Sequence, residues 1–159
     1  MKRSLAVFCA LALAAAPAAA RTPKASASQK KEAAGAHKSG AKFTDREGQV
    51  EFASPSKNIG CVYTPAGGTT WYKPADGGPE LSCDRVKPDY VNVRMGPSGE
   101  VQRVDNPGEQ PCCSATNILA YGKSWSAGPF TCVSGSAGIG CKRADGRGFA
   151  MSKKAVSVN

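Results

Sequence analysis

Polar and apolar positions alternate most cleanly over residues 130 to 152, FTCVSGSAGIGCKRADGRGFAMS. Phe130, Cys132 and Ser134 alternate with Thr131 and Val133, the period-two pattern of a strand. Gly135-Ser136-Ala137-Gly138 supplies a turn, because glycine adopts the positive φ that tight turns need. Ile139 and Cys141 resume the alternation, and pairing Ser134 with Ile139 sets Cys132 opposite Cys141. Opposed Cβ atoms of an antiparallel pair lie ~4.5–5.5 Å apart, so the spacing predicts a cross-strand disulfide. Asp145-Gly146 is a strong hairpin signal. A three-residue loop from Asp145 to Arg147, closed by Gly148, sets Arg143 opposite Phe149 and Cys141 opposite Met151. Cys141, Phe149 and Met151 then share one face.

Upstream, the pattern is of the same kind. Phe43 to Phe52 reads as an opening strand, Ile59 to Tyr63 and Leu81 to Val86 as strands, and Thr70-Trp71-Tyr72 has strong strand propensity. Tyr90 to Met95 puts Val91, Val93 and Met95 on one side and Asn92 and Arg94 on the other, and Val101 to Val104 returns as its partner. Ile118 to Tyr121 fits either a strand or one helical turn. Segments are short, turns rich in Gly and Pro are frequent, and no apolar period of 3.6 residues is sustained, which predicts an all-β domain. The expected architecture is a single small antiparallel meander, closed as a barrel or stacked as a sandwich, and stapled by three disulfides. The phrase Ser-x-Ser-x-x-Ile-Gly-Cys occurs twice, at Ser54 to Cys61 and at Ser134 to Cys141. Its residues are small and common, so chance accounts for the echo unless a turn–strand unit is duplicated.

The first 20 residues read as a secretory signal peptide: Lys2 and Arg3, an apolar run from Leu5 to Ala16, then Ala18-Ala19-Ala20. That run is shorter than the ~20 residues a membrane span needs, so no transmembrane segment is expected after processing, and a secreted or periplasmic location follows. Loss of Cys9 with the signal leaves six cysteines, and an even number in an exported chain implies three disulfides. Residues 21 to 42 are rich in Ala, Lys and Ser with no large apolar residue, and read as a disordered tether. Six basic residues against Glu32 give the tether +5, whereas residues 43 to 159, the predicted domain, carry 13 basic and 11 acidic residues, or +2. The tether is either a solubilising spacer or a weak electrostatic contact with anionic polymers or lipid headgroups. No nucleic-acid specificity is indicated.

Candidate chemistry is sparse. The one histidine, His37, lies in the tether, so a Ser-His-Asp or Cys-His arrangement has no base. No phosphate loop, dinucleotide fingerprint or Cys-x-x-Cys zinc spacing occurs, so no catalytic, cofactor or metal residue is assigned. Asp76, Glu80, Asp84 and Asp89 cluster in sequence, and paired carboxylates hydrolyse glycosides, which leaves a carboxylate hydrolase of cell-wall polysaccharide as the alternative function. Trp71, Tyr72, Tyr121 and Trp125 are candidate binding residues, because large aromatics beside polar turns stack on sugars or grip a partner. At least two of the four are also expected to serve the core. Arg147, at a hairpin tip, is a basic candidate.

At FASPSKNIGCVY, LSCDRV, YGKSWSAGPFTC, GIGCKR and GRGFAMSKKAV the chain resembles a family of small exported bacterial proteins that share a domain of unknown function. The resemblance covers about residues 52 to 157. The family phrase is close to Ser-Pro-Ser-Gly-Asn-Ile-Gly-Cys, and Lys57 stands where Gly is usual. Its Gly-His-Gly-Phe corresponds to Gly146-Arg147-Gly148-Phe149, with Arg147 in place of His, so no role for that His carries over. The resemblance implies secretion and a disulfide-bonded fold, and no activity.

The expected disulfide map is Cys61–Cys83, Cys132–Cys141 and a vicinal Cys112–Cys113. The competing map sends Cys112 and Cys113 to Cys61 and Cys83 as a central clasp. The function expected from these features is a non-enzymatic, binding or inhibitor-like envelope module that meets an envelope protein or glycan through exposed aromatics and basic residues.

Overall fold

The computed structural model describes residues 42, 43, 45–108 and 115–159. Two antiparallel sheets account for every strand among the described residues. The first holds β1 (Asp45–Arg46), β2 (Gln49–Ala53), β3 (Ile59–Thr64), β4 (Glu80–Arg85), β5 (Val91–Met95) and β6 (Gln102–Asp105), in sequence order. The second holds β7 (Ser124–Ala127), β8 (Phe130–Gly135), β9 (Gly138–Arg143), β10 (Gly148–Met151) and β11 (Val156–Val158), again in order. Each sheet is therefore an open meander, and of the two expected architectures the chain adopts the sandwich. One core joins them: Phe52 lies 4.8 Å from Trp125, Tyr63 5.5 Å from Trp125, and Tyr63 6.2 Å from Phe130, ring centre to ring centre.

The alternation explains the faces. Phe130, Cys132 and Ser134 are buried while Thr131 and Val133 are exposed. Val91, Val93 and Met95 are buried in β5. Ser134 pairs with Ile139 and Cys132 with Cys141, and the disulfides Cys132–Cys141 and Cys61–Cys83 are both formed, each with Cα atoms 4.1 Å apart. Such closeness belongs to the non-hydrogen-bonded pairs of an antiparallel ladder. Cys112 and Cys113 lie outside the described residues.

Three expectations are corrected. The β9–β10 loop is Ala144 to Gly146, not Asp145 to Arg147: Arg143 N–H donates to Arg147 O, and Phe149 pairs with Cys141 and Met151 with Ile139. Gly146, at φ 89°, takes the left-handed position of a three-residue loop, which draws the register back by two residues. A shift of two preserves side-chain parity, so Cys141, Phe149 and Met151 still share the buried face. The opening strand is broken into a hairpin, because Glu47 and Gly48 both take positive φ. Thr70-Trp71-Tyr72 forms no strand. Thr69 folds the segment into a turn, its N–H donating to Tyr72 O and its hydroxyl accepting from Tyr72 N–H.

Arginines tie the sheets together at both ends. The buried Arg143 donates to Gly96 O and Gly99 O of the β5–β6 turn while its own Asp145 accepts from it. Arg85 at the end of β4 donates to Ser152 O in the β10–β11 turn. The chain between the sheets returns beside β2, where Ala53 N–H donates to Asn117 O, Leu119 N–H donates to Ala53 O, and Ile118 forms an isolated parallel bridge with Ala53. That single bridge, neither a strand nor a helical turn, is what Ile118 to Tyr121 contributes.

Candidate functional site

The two copies of Ser-x-Ser-x-x-Ile-Gly-Cys occupy equivalent places in the two sheets. Each opens on a serine that faces the isoleucine across a hairpin turn and ends on a cysteine pointing into the core. They differ in one respect. Ser54 N–H donates across its hairpin to Ile59 O, whereas Ser134 N–H donates outward to Lys123 O. The hydrogen-bonded and non-hydrogen-bonded positions are thus exchanged. Cys61 consequently finds its bridging partner on the following strand, β4, and Cys141 on the preceding strand, β8.

Both turns open into one groove of about 410 Å³ at the same end of the sandwich. Ser54, Ser56, Asn58 and Ile59 line it from the first sheet, and Gly135 to Gly138 from the second. Lys87 from the β4–β5 turn, Lys153 from the β10–β11 turn and Tyr121 complete it. Hydrogen bonds within and between the turns hold each piece. The Asn58 side chain grips Lys87 twice, donating to its carbonyl at 2.9 Å and accepting from its N–H at 2.9 Å. Ser54 Oγ accepts from Ile59 N–H at 3.2 Å and lies 3.0 Å from Ser56 Oγ. Ser152 Oγ accepts from the N–H groups of Lys154 and Ala155, which shapes the turn carrying Lys153. Gly122 N–H donates to Ser134 O and holds the Tyr121 turn against β8. Among the described residues no carboxylate lines the groove.

The predicted binding residues do not converge. Trp125 is only 3% exposed and packs among Phe52 and Tyr63, so it is a core residue and not a contact surface. It is also the one core member of the four; Trp71, Tyr72 and Tyr121 are 75%, 40% and 50% exposed, which corrects the expectation of two or more. Trp71 and Tyr72 sit on the β3–β4 loop beyond Thr64, at the end of β3 opposite to Ser54, with Arg46 5.8 Å above the Trp71 ring. Arg147 is exposed in the β9–β10 turn at that same far end. Of the five, only Tyr121 reaches the groove.

A second, shallower cleft of about 240 Å³ lies on the outer face of the first sheet, among Tyr72, Glu80, Asp84, Tyr90, Asn92 and Arg94. Glu80 accepts from the Tyr72 hydroxyl at 2.8 Å, and burial together with this bond pushes the Tyr72 phenol up. Asp84 is buried and accepts from Asn92 Nδ2 at 2.8 Å. Glu80 and Asp84 stand four residues apart on one strand, their Cα atoms about 13 Å apart along its axis. Asp76 caps its own loop by accepting from Gly78 N–H, and Asp89 lies in the β4–β5 turn. The sulfurs of Cys61, Cys83 and Cys141 lie within 4.8 Å of one another. They belong to two disulfides and so offer no thiolate to a cation.

The groove residues Ser56, Asn58, Lys87, Ser136 and Lys153 carry no catalytic motif, and sequence reasoning passed over them. The repeated phrase marks Ser56, Asn58 and Ser136, whereas Lys87 and Lys153 lie outside it. Comparison with protein-family models, curated proteins and solved structures returns no match for this chain.

Proposed function

We propose that this chain is an exported, non-enzymatic binding module that takes its ligand in the groove between the two echoed turns, and that it belongs to the family of small exported proteins it resembles. The observation that carries the binding reading is the groove's composition. It is formed by four hairpin turns from both sheets and lined by hydroxyls, an amide, two ammonium groups and one half-exposed tyrosine, and none of its described lining residues is a carboxylate, thiol or imidazole. Such a lining is suited to positioning and holding a ligand through hydroxyls, an amide and two ammonium groups. The two buried disulfides are compatible with an oxidising compartment, and among the described residues no helix is long and apolar enough to cross a membrane.

The carboxylate-hydrolase alternative finds less support. Glu80 and Asp84 stand four residues apart on β4, and each carboxylate is already hydrogen-bonded to a neighbouring side chain, Tyr72 and Asn92 respectively.

Hydrogen exchange of the mature chain, with and without solubilised envelope fractions, tests the reading. Protection should appear at 54–58, 86–90, 120–122, 135–138 and 152–155, and should vanish in Ala137→Trp, which fills the groove from an exposed turn position. Release of reducing ends from an envelope glycan without such protection would establish the hydrolase instead.

A further inference from the structure

We infer that the ligand of this groove is an acidic saccharide, a sugar ring bearing a carboxylate or a phosphate; the inference rests on the reading of the groove as the binding surface. Lys87 and Lys153 come from opposite sheets and line the same space. Among the described residues neither forms an ion pair, and none of those lining the groove is an acid. Two lysines lining one groove, with no carboxylate among its described lining residues, favour an anion.

The rest of the lining argues against a bare anion. The groove's volume of about 410 Å³ is more than ten times the ~30 Å³ share of a water molecule, and it falls in the usual range for ligand clefts. Ile59, Ala137 and the Tyr121 ring provide apolar walls. Ser56 and Ser136, one from each echoed turn, place a hydroxyl in each half. A sugar ring presents apolar faces edged by hydroxyls, which fits walls of carbon edged by serines. Its charged substituent then meets the lysines. The turns that carry these groups are fixed by backbone and side-chain bonds, so little ordering is needed on binding.

Titration calorimetry of the mature chain against a hexuronate oligosaccharide, its carboxyl-reduced neutral counterpart and a hexose phosphate tests this. Expected is binding of one or both anionic probes, at least tenfold tighter than the neutral one. Lys87→Gln and Lys153→Gln should each weaken binding roughly tenfold, Ala137→Trp should abolish it, and Lys142→Gln, on an exposed position of β9, should leave it unchanged. The hexuronate and phosphate arms identify which charge the lysines take. Anionic binding that ignores all groove substitutions would belong to the basic residues 21 to 42 and would overturn the inference. Equal binding of the neutral probe with groove protection would overturn the charge requirement while leaving the binding reading intact. So would groove protection by a protein fraction with no saccharide bound. Absence of groove protection by any fraction would remove the binding reading itself.

Discussion

Cys83 and Cys141 belong to different disulfides in different sheets, yet their sulfurs lie within 4.8 Å of each other at the centre of the sandwich. The relationship follows from the exchanged hydrogen-bonding edges of the two echoed strands. Cys61 and Cys141 each face the core, one bridged forward and the other backward, and the two bridges stack where the sheets meet.

Disulfide exchange is the direct consequence. In Cys132→Ser, the freed Cys141 thiolate stands beside an intact bridge. Attack on the Cys61–Cys83 bond would join Cys141 to one of these sulfurs and expel the other as thiolate, which conserves the number of bonds. Non-reducing peptide mapping of this variant should find Cys141 linked to the peptide of Cys61 or Cys83. A map holding only Cys61–Cys83, with Cys141 free after prolonged incubation at pH 8, would show that the core keeps the sulfurs apart.

Arg143 is the clamp at the other end from the groove. Its guanidinium is buried and donates to two carbonyls of the facing sheet. Arg143→Met leaves Gly96 O and Gly99 O without this donor and should cost about 2–4 kcal/mol in urea unfolding. The hydrogen bond from Arg143, aided by that from Arg147 N–H, holds the Asp145 carboxyl below its ordinary range. A carboxyl depressed in the folded state stabilises it above the unfolded value of ~3.9, and that contribution is lost as pH falls through the lower folded value. Stability should therefore fall on acidification below about pH 4, and Asp145→Asn should flatten this part of the profile.

Much of this fold was legible because period two and a cysteine pair constrain each other. Placing Cys132 opposite Cys141 sets the register of β8 and β9 and requires Ser134 to face Ile139, as it does. Positions that depended on one residue's backbone preference were not legible. Glu47 at φ 54° makes a hairpin where the side-chain pattern reads as one strand, because few non-glycine residues enter that region. Trp71 and Tyr72 have strand propensity, but Thr69 captures their backbone in a turn. The groove was hidden for another reason. Lys87 and Lys153 are 66 positions apart, and nothing local relates them; the repeated phrase links only the two serine turns that lie between them.

Gly138 should prove far less replaceable than Gly135 in the same turn. Gly138 sits at φ 148°, and a Cβ there would run into Met151 O of β10. Gly135 would meet nothing nearer than Gly138 O at 3.9 Å. Gly138→Ala must push β10 away from β9 or twist the turn, at about 1–3 kcal/mol. Gly135→Ala should stay within about 0.5 kcal/mol. Thermal unfolding of the two variants side by side checks this, and equal melting points would mean that the β8–β9 turn relaxes freely.

The two tryptophans should behave as opposites. Trp125 is nearly fully buried, with Phe52 at 4.8 Å and Tyr63 at 5.5 Å, and it bridges the sheets where the aromatic core is thickest. Trp125→Ala removes that bridge and should cost about 3–5 kcal/mol, a large part of the ~5–15 kcal/mol that holds a domain folded. Trp71 is 75% exposed, with the Arg46 guanidinium 5.8 Å from its ring centre. An exposed cation–π contact contributes ~0.5–1 kcal/mol, so Trp71→Ala should cost no more than that. Because the chain holds only two tryptophans, fluorescence separates them without labels. Iodide should quench a large fraction of wild-type emission, and Trp71→Ala should abolish the quenchable component while leaving the shielded emission of Trp125. Emission that stays fully quenchable after Trp71 is removed would place Trp125 in water and undo the core described above.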